Sequence, residues 1–203
     1  MIIIVDYGMG NLGSIVNMLK KIGAKGKVSS DLDEISKASK LLLPGVGAFD
    51  NAMQKINDAG MVEILNSKAL VEKIPVLGIC LGMQLLTERS DEGKLPGLGW
   101  IKGQTLSFRN VVPPQTRIPH MGWNTVKRNT ESALTKNLNE ESKFYFVHSY
   151  YVKCEEDKNS ILKTNYEIEF DSAIQKENIF GAQFHPEKSH KFGMQLFDNF
   201  NKL

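Results

Sequence analysis

The chain has 203 residues, 41% of them hydrophobic and 24% charged, with 25 basic against 23 acidic side chains. That length buries a substantial core as one domain or a tight pair, and a net charge of +2 is too small to mark a nucleic-acid surface. No apolar run approaches the roughly 20 residues of a membrane span. Met1–Val5 is too short for a signal peptide and has no basic flank, so a cytoplasmic protein free of membranes is expected.

Ile2-Ile3-Ile4-Val5 is a continuous β-branched run, the pattern of a parallel strand covered on both faces. Asn11 then caps a helix whose Leu12, Ile15, Val16, Leu19 and Ile22 share one face, with Gly23 as its stop. Gly8-Met9-Gly10-Asn11-Leu12-Gly13 fits the dinucleotide-binding string. Its acidic partner about 20 residues on would be Asp31 or Asp33, which fit better at the start of a short helix, Asp31 with Glu34 as a capping box. The glycine string therefore carries little weight. Lys40–Leu43 reads as the next buried strand, and Pro44-Gly45-Val46-Gly47 as a turn that frees the backbone N–H groups of 45 to 47 for a ligand. Helices are expected over Asp50–Asn57 and Gly60–Lys73.

Val76-Leu77-Gly78-Ile79-Cys80-Leu81-Gly82-Met83-Gln84 is a buried strand, a tight turn and a helix expected to reach Glu88. Glycines on both sides of Cys80 remove the Cβ atoms that a sharp reversal would crush, as in a nucleophile elbow. A helix start behind the thiol favours its ionised form. A buried free cysteine remains the plainer reading of the elbow alone. The other cysteine, Cys154, completes no zinc spacing, and whether it pairs with Cys80 is open at this level. Alternating strands and helices up to residue 90 point to an open α/β sheet, whose ligands gather at strand carboxyl ends. Cys80 and both glycine turns lie there.

Beyond residue 90 the texture changes to loop (Asp91–Trp100) and short strands over Thr105–Phe108, Asn124–Val126, Phe144–Val147, Ile161–Asn165, Ser172–Gln175 and Ile179–Phe184. These read as antiparallel additions to one domain spanning 1–203. A last helix begins at Ser189, with Phe192, Leu196, Phe197 and Phe200 on one face. Just before it stands Gln183-Phe184-His185-Pro186-Glu187. A cysteine nucleophile needs a base, and the base needs an acceptor on its other nitrogen; His185 and Glu187 supply that pair.

Pro44-Gly45-Val46-Gly47, Gly78-Ile79-Cys80-Leu81-Gly82-Met83-Gln84 and His185-Pro186-Glu187, in that order, resemble the class I (triad) glutamine amidotransferases over essentially the whole chain. More narrowly, Asp6–Gly10, Pro119-His120-Met121-Gly122-Trp123-Asn124 and Tyr145-Phe146-Val147-His148-Ser149-Tyr150 resemble the glutaminase subunits of imidazole glycerol phosphate synthases. The resemblance implies an open, mostly parallel flavodoxin-like sheet flanked by helices. It also implies a Cys80–His185–Glu187 triad that hydrolyses glutamine without a cofactor or metal. Oxyanion and substrate contacts are implied at Gly45, Val46, Gly47, Leu81, Gln84, His148, Ser149 and Tyr150. The implied partner is a separate (β/α)8-barrel cyclase subunit meeting Asn11, Pro119, His120, Met121, Gly122, Trp123, Asn124 and Lys188. Two alternatives stay open: the same glutaminase feeding a paralogous synthase that modifies a surface sugar, and a cysteine hydrolase of related fold.

Overall fold

The computed structural model describes residues 1–203. The first half runs β1 (Ile2–Val5), α1 (Leu12–Lys21), β2 (Gly26–Ser29), α2 (Leu32–Ser36), β3 (Lys40–Gly45), α3 (Phe49–Asp58), α4 (Met61–Asn66), β4 (Val76–Cys80) and α5 (Leu81–Leu85). The second half adds β5 (Arg89–Ser90), β6 (Gly103–Ser107), β7 (His120–Thr125), β8 (Lys127–Arg128), β9 (Lys143–His148), β10 (Tyr150–Cys154), β11 (Ser160–Tyr166), β12 (Ile168–Lys176), β13 (Ile179–Ala182) and α6 (His190–Lys202).

The main sheet has the order β2-β1-β3-β4-β13-β12-β10-β6-β5, with β8 and β11 hung from β12. Strands β2, β1, β3, β4 and β13 are mutually parallel, and from β12 onward the pairing turns antiparallel until β5. The additions expected over Thr105–Phe108, Ile161–Asn165 and Ser172–Gln175 thus extend the same sheet by antiparallel pairing, whereas Ile179–Phe184 inserts as β13, parallel to β4. A separate antiparallel pair, β7 with β9, makes a second small sheet.

Side-chain alternation along the parallel strands divides the core into two layers. Ile2, Ile4, Leu42, Leu77 and Ile79 face one way, towards Ile15 and Leu19 of α1 and Leu196, Phe197 and Phe200 of α6. Ile3, Val5, Leu41, Leu43 and Val76 face the other way, towards Phe49, Ile56 and Leu65. Each fully buried aliphatic or aromatic side chain contributes roughly 1.5–3 kcal/mol. Because both faces are covered, these strands are apolar throughout.

Several elements differ from expectation, each for a local reason. Gly60–Lys73 is not one α-helix: α4 ends at Asn66 and a π-helical turn covers Ser67–Val71. In that widened turn Lys68 is buried, donating to the Ser36 carbonyl at 2.7 Å and pairing with Glu72. Helix α5 stops at Leu85 because the loop after it takes its last carbonyls. Leu98 N–H bonds the Leu85 oxygen at 2.8 Å, and Ile101 N–H bonds that of Leu86 at 3.0 Å. Asp31 caps α2 through the Glu34 N–H, but the return arm of a capping box is missing, since Glu34 pairs with Lys27 and Asp31 N–H with Ser29. Strand β2 is an edge strand with only Ser29 buried, so it shows no apolar run. Strand β10 follows β9 after Ser149 alone, where the chain leaves the small sheet and joins the large one.

Phe184 joins the last parallel strand to the base-bearing turn and stacks on Phe144 with 3.9 Å between ring centroids, both rings fully buried. Phe184→Ala should destabilise the protein by about 3–5 kcal/mol, the usual cost of emptying an aromatic core site. Phe192→Ala, at a half-buried position, should cost far less in the same urea-unfolding series.

Candidate active site

The chemistry collects at the carboxyl ends of β3, β4 and β13, in a cleft of about 360 Å³, within the size range of small-molecule sites. Cys80 ends β4 with φ 54° and ψ −111°, a left-handed conformation that costs a non-glycine residue strain. The neighbouring glycines make it possible. A Cβ on Gly82 would stand 1.7 Å from the Leu43 carbonyl oxygen, and one on Gly78 would stand 2.5 Å from the Gly82 oxygen. Only bare backbone lets α5 fold back this tightly against β3 and β4. Cys80 and Cys154 are both free. Cys154 lies buried with its N–H on Asp171, and burial and that carboxylate push its thiol pKa well up.

The residues after β13 bring the base to the thiol. His185 Nδ1 donates to Glu187 Oε1 at 2.7 Å, and the two side chains are 3% and 2% exposed. Nε2 has no hydrogen-bond partner and stands beside Cys80. Burial works against an imidazolium at His185, but the Cys80 and Glu187 side chains outweigh it and push the pKa up to about 10. The main chain is clamped as well. His185 N–H donates to the Tyr145 carbonyl at 2.9 Å, and the His185 carbonyl accepts from Ser189 Oγ at 2.6 Å. Ser189 therefore serves this turn rather than capping α6 with its side chain.

Around the thiol the expected residues divide. Val46, Gly47, Leu81, Gln84, His148, Ser149, Tyr150, Pro119 and Lys188 line the cleft together with Cys80 and His185. Gly45 does not: it is still in β3, paired with Cys80, and packed under the Tyr7 hydroxyl. Tyr7 donates that hydroxyl to the Pro44 carbonyl at 2.6 Å, so the turn becomes free only at Val46. The N–H groups of Val46 and Gly47 make no internal hydrogen bond, and Gly47 has φ 109°. The Leu81 N–H, first in α5, lacks an intrahelical acceptor by geometry.

Gln84 is 4% exposed. Its Nε2 donates to the Gln183 side chain at 3.1 Å and the Tyr150 carbonyl at 3.3 Å, which leaves Oε1 as an acceptor. Gln183 is fully buried, and its Nε2 reaches Cys80 Sγ at 3.8 Å. Sequence reasoning missed two contributors. Gln183 precedes the base by two residues with no spacing signal of its own, and Glu92 sits in a loop without periodicity. The Glu92 carboxylate enters the cleft and accepts the Phe49 N–H at 2.9 Å. Burial first, then Asp50, raises its pKa.

The residues expected to meet a partner lie beside the cleft. Along β7, Met121 and Trp123 are 60% and 48% exposed, whereas His120 is buried and turned inward. Its ring reaches His148 Nε2 at 2.9 Å, so the strand's outward face is carried by its neighbours. Trp123 stacks on His190 and meets Tyr145 edge-on, and Lys188 lies over the Tyr145 ring. Asn11 is exposed as the cap of α1, accepting from Ser14 N–H. Gly122 and Asn124 lie half-buried between the exposed positions.

A model of the glutamine amidotransferase class-I family matches residues 3–203. The chain belongs to this family. The imidazole glycerol phosphate synthase subunit HisH 2 of Methanococcus maripaludis is 56% identical over 202 residues, covering 100% of this chain and 99% of that protein. The subunit of the same name from Pseudomonas aeruginosa is 48% identical over 203 residues, with both chains fully covered. Among solved structures, a glutamine amidotransferase superposes with a TM-score of 0.75 at 14% identity, covering 99% of each chain. A chain of PurLQS from Thermotoga maritima gives 0.73 at 18%, covering 98% of this chain and 96% of that one. These two show the shared fold.

The His185 shift has a consequence for stability. With its pKa at about 10 in the folded amidotransferase and about 6.5 in the unfolded chain, the native state holds the extra proton between these values. The stabilisation is complete below about pH 6.5 and disappears as pH rises towards 10. Urea unfolding at about pH 6, 8 and 10 should show stability falling along that series. Glu187→Gln should flatten the slope by removing the carboxylate that favours the imidazolium.

Proposed function

We propose that this chain is the glutaminase subunit of an imidazole glycerol phosphate synthase, hydrolysing glutamine and passing ammonia to a separate (β/α)8-barrel cyclase in histidine biosynthesis. The chemistry is carried by one observation: a strained cysteine faces the free Nε2 of a histidine whose Nδ1 is held at 2.7 Å by a buried carboxylate. The choice of acceptor rests on the full-length relatives named as that synthase's HisH subunit.

In this reading His185 holds the proton as an imidazolium stabilised by Glu187, and Cys80 Sγ opposite Nε2 reacts as the thiolate. Sγ attacks the carboxamide carbon, and the oxyanion is met by N–H groups of Leu81 and of the Val46–Gly47 turn. Collapse breaks the C–N bond as His185 returns its proton to the leaving ammonia. Water, deprotonated by His185, then attacks the thioester carbonyl, releasing glutamate, whose acid proton passes to solvent, and restoring the thiolate beside the imidazolium. Gln84 Oε1 and the Glu92 carboxylate, both lining the cleft, present acceptors to the substrate's ammonium group. Neither metal nor organic cofactor has a step here. The half-exposed Val46 sits where an arriving partner can reorient the oxyanion turn, so Val46–Gly47 is our candidate switch.

We assign Met121, Trp123, Pro119 and Lys188 to the partner surface, together with the exposed Asn11. Exposed aromatic and methionine side chains beside a charged lysine suit an interface core and its rim.

Glutamate release by the purified chain should be low alone and rise strongly with a histidine-pathway cyclase and its nucleotide substrate; Cys80→Ser should abolish both rates. Basal release with no stimulation would move the chain to another synthase, and full activity without any partner would remove the switch. Trp123→Ala should weaken cyclase binding by about 2 kcal/mol or more, the level of an interface hot spot, with unchanged thermal unfolding. Wild-type affinity in a calorimetric titration would remove Trp123 from the interface.

A further inference from the structure

Beneath the exposed strand β7 lies a pair of histidines that the triad does not use. His120 and His148 face each other across the β7–β9 pair, in register. Both are buried, and the rings around them are aromatic: Phe146 and Tyr166 stack on His120, and Phe108 and Phe170 flank His148. Two polar side chains brought into such a site are costly unless every hydrogen bond is made.

The bonds fix their own direction. His148 Nδ1 lies 2.7 Å from the Tyr150 carbonyl, which only accepts, so Nδ1 carries the hydrogen. In the neutral ring Nε2 then accepts, and the group 2.9 Å away is His120 Nδ1, which must donate. His120 Nε2 is left to accept from Asn124 Nδ2 at 3.2 Å. The Asn124 amide is itself oriented by two further bonds, Nδ2 to the Asn165 carbonyl at 2.9 Å and Oδ1 from Thr125 N–H at 2.8 Å. Burial holds both imidazoles neutral, at pKa values of about 4 for His120 and about 3 for His148. A proton added to His148 would put a hydrogen on Nε2. His120 would then accept through Nδ1 and carry its hydrogen on Nε2, against the Asn124 nitrogen. The chain of bonds has one sense only.

Its end is in the cleft. The Tyr150 carbonyl that receives His148 is also the acceptor for Gln84 Nε2, and Gln84 holds Gln183 beside the thiol. The geometry points to Asn124–His120–His148 as a positioning relay that fixes the Tyr150 carbonyl, and through it Gln84, from the strand whose outer face carries Met121 and Trp123. The three side chains touch no reacting atom. They set the glutamine-binding wall, so their loss falls on KM rather than kcat, and the effect on KM rests on the proposed glutaminase activity.

The test uses the full chain with its cyclase partner. Long-range imidazole ¹⁵N spectra should show both His120 and His148 protonated at Nδ1. His120→Phe keeps the ring in its aromatic slot and removes the relay. It should raise the KM for glutamine about three- to tenfold, the factor one net hydrogen bond is worth, while kcat changes little. It should also move the Tyr150 carbonyl ¹³C shift. His120→Asn, whose Nδ2 sits near the position of Nδ1, should recover part of the KM. An Nε2-protonated His148, or a wild-type KM in His120→Phe with the expected tautomers, overturns the relay. If the wild-type chain turns over no glutamine with any cyclase, the glutaminase reading fails separately. The relay then stands or falls on whether the Tyr150 carbonyl shift moves in His120→Phe.

Discussion

The site depends on one steric constraint, the contact of the α5 backbone with the ends of β3 and β4 around Cys80. Gly82 lies against the Leu43 carbonyl so closely that no side chain fits. That contact forces Cys80 into its left-handed conformation and lifts the thiol out of the sheet. Everything else is placed by adjacency. Strand β4 is flanked by β3 and β13, both parallel to it. The segments leaving those two strands therefore emerge at the same edge as the thiol: the Val46–Gly47 turn on one side, His185 on the other. Parallel order at the sheet centre thus converts three distant sequence segments into one cleft.

Histidines within this small region meet opposite electrostatic fates, and the contrast explains their division of labour. His185 is buried, but a carboxylate and a thiol face its two nitrogens, and together they overcome desolvation. His120 and His148 are buried among aromatic rings, and desolvation wins. One imidazole holds a proton readily, because charged and polar partners face it. The other two stay neutral and act as fixed donor–acceptor pieces. Burial alone decides neither outcome; the partner atoms do.

The parts legible from sequence were those governed by local chemistry. The β-branched run at Ile2–Val5, the glycines around Cys80 and the His185-Pro186-Glu187 turn each state a backbone or bonding requirement within a few residues. The parts that were not legible depend on distant contacts. Strand β2 has no apolar pattern because an edge strand buries little. Helix α5 is cut short by hydrogen bonds from residues 98 and 101, which nothing in Leu81–Glu88 announces. Gly45 had the composition of a turn residue but remains in β3, because pairing with Cys80 and the Tyr7 hydroxyl hold it there. Glu92 and Gln183 gain their roles only when a loop and a strand end close over the cleft. His120, grouped by motif with its exposed neighbours, points the other way because a strand alternates its faces.

That alternation gives the small β7–β9 sheet two duties at once. Its outer positions, Met121 and Trp123, are exposed, while its inner ones reach His148. Strand β9 supplies the Tyr145 carbonyl that holds the His185 backbone, and the Tyr145 ring lies between Trp123 and Lys188. The second sheet is joined to the first at this point by an isolated bridge, Tyr145 with His185. A displacement of β7 therefore cannot be absorbed within the small sheet alone, since its hydrogen-bonded neighbour carries the support of His185. The exposed Met121 and Trp123 and the scaffold of His185 are two sides of the same pair of strands. This comes from the connectivity of the fold alone.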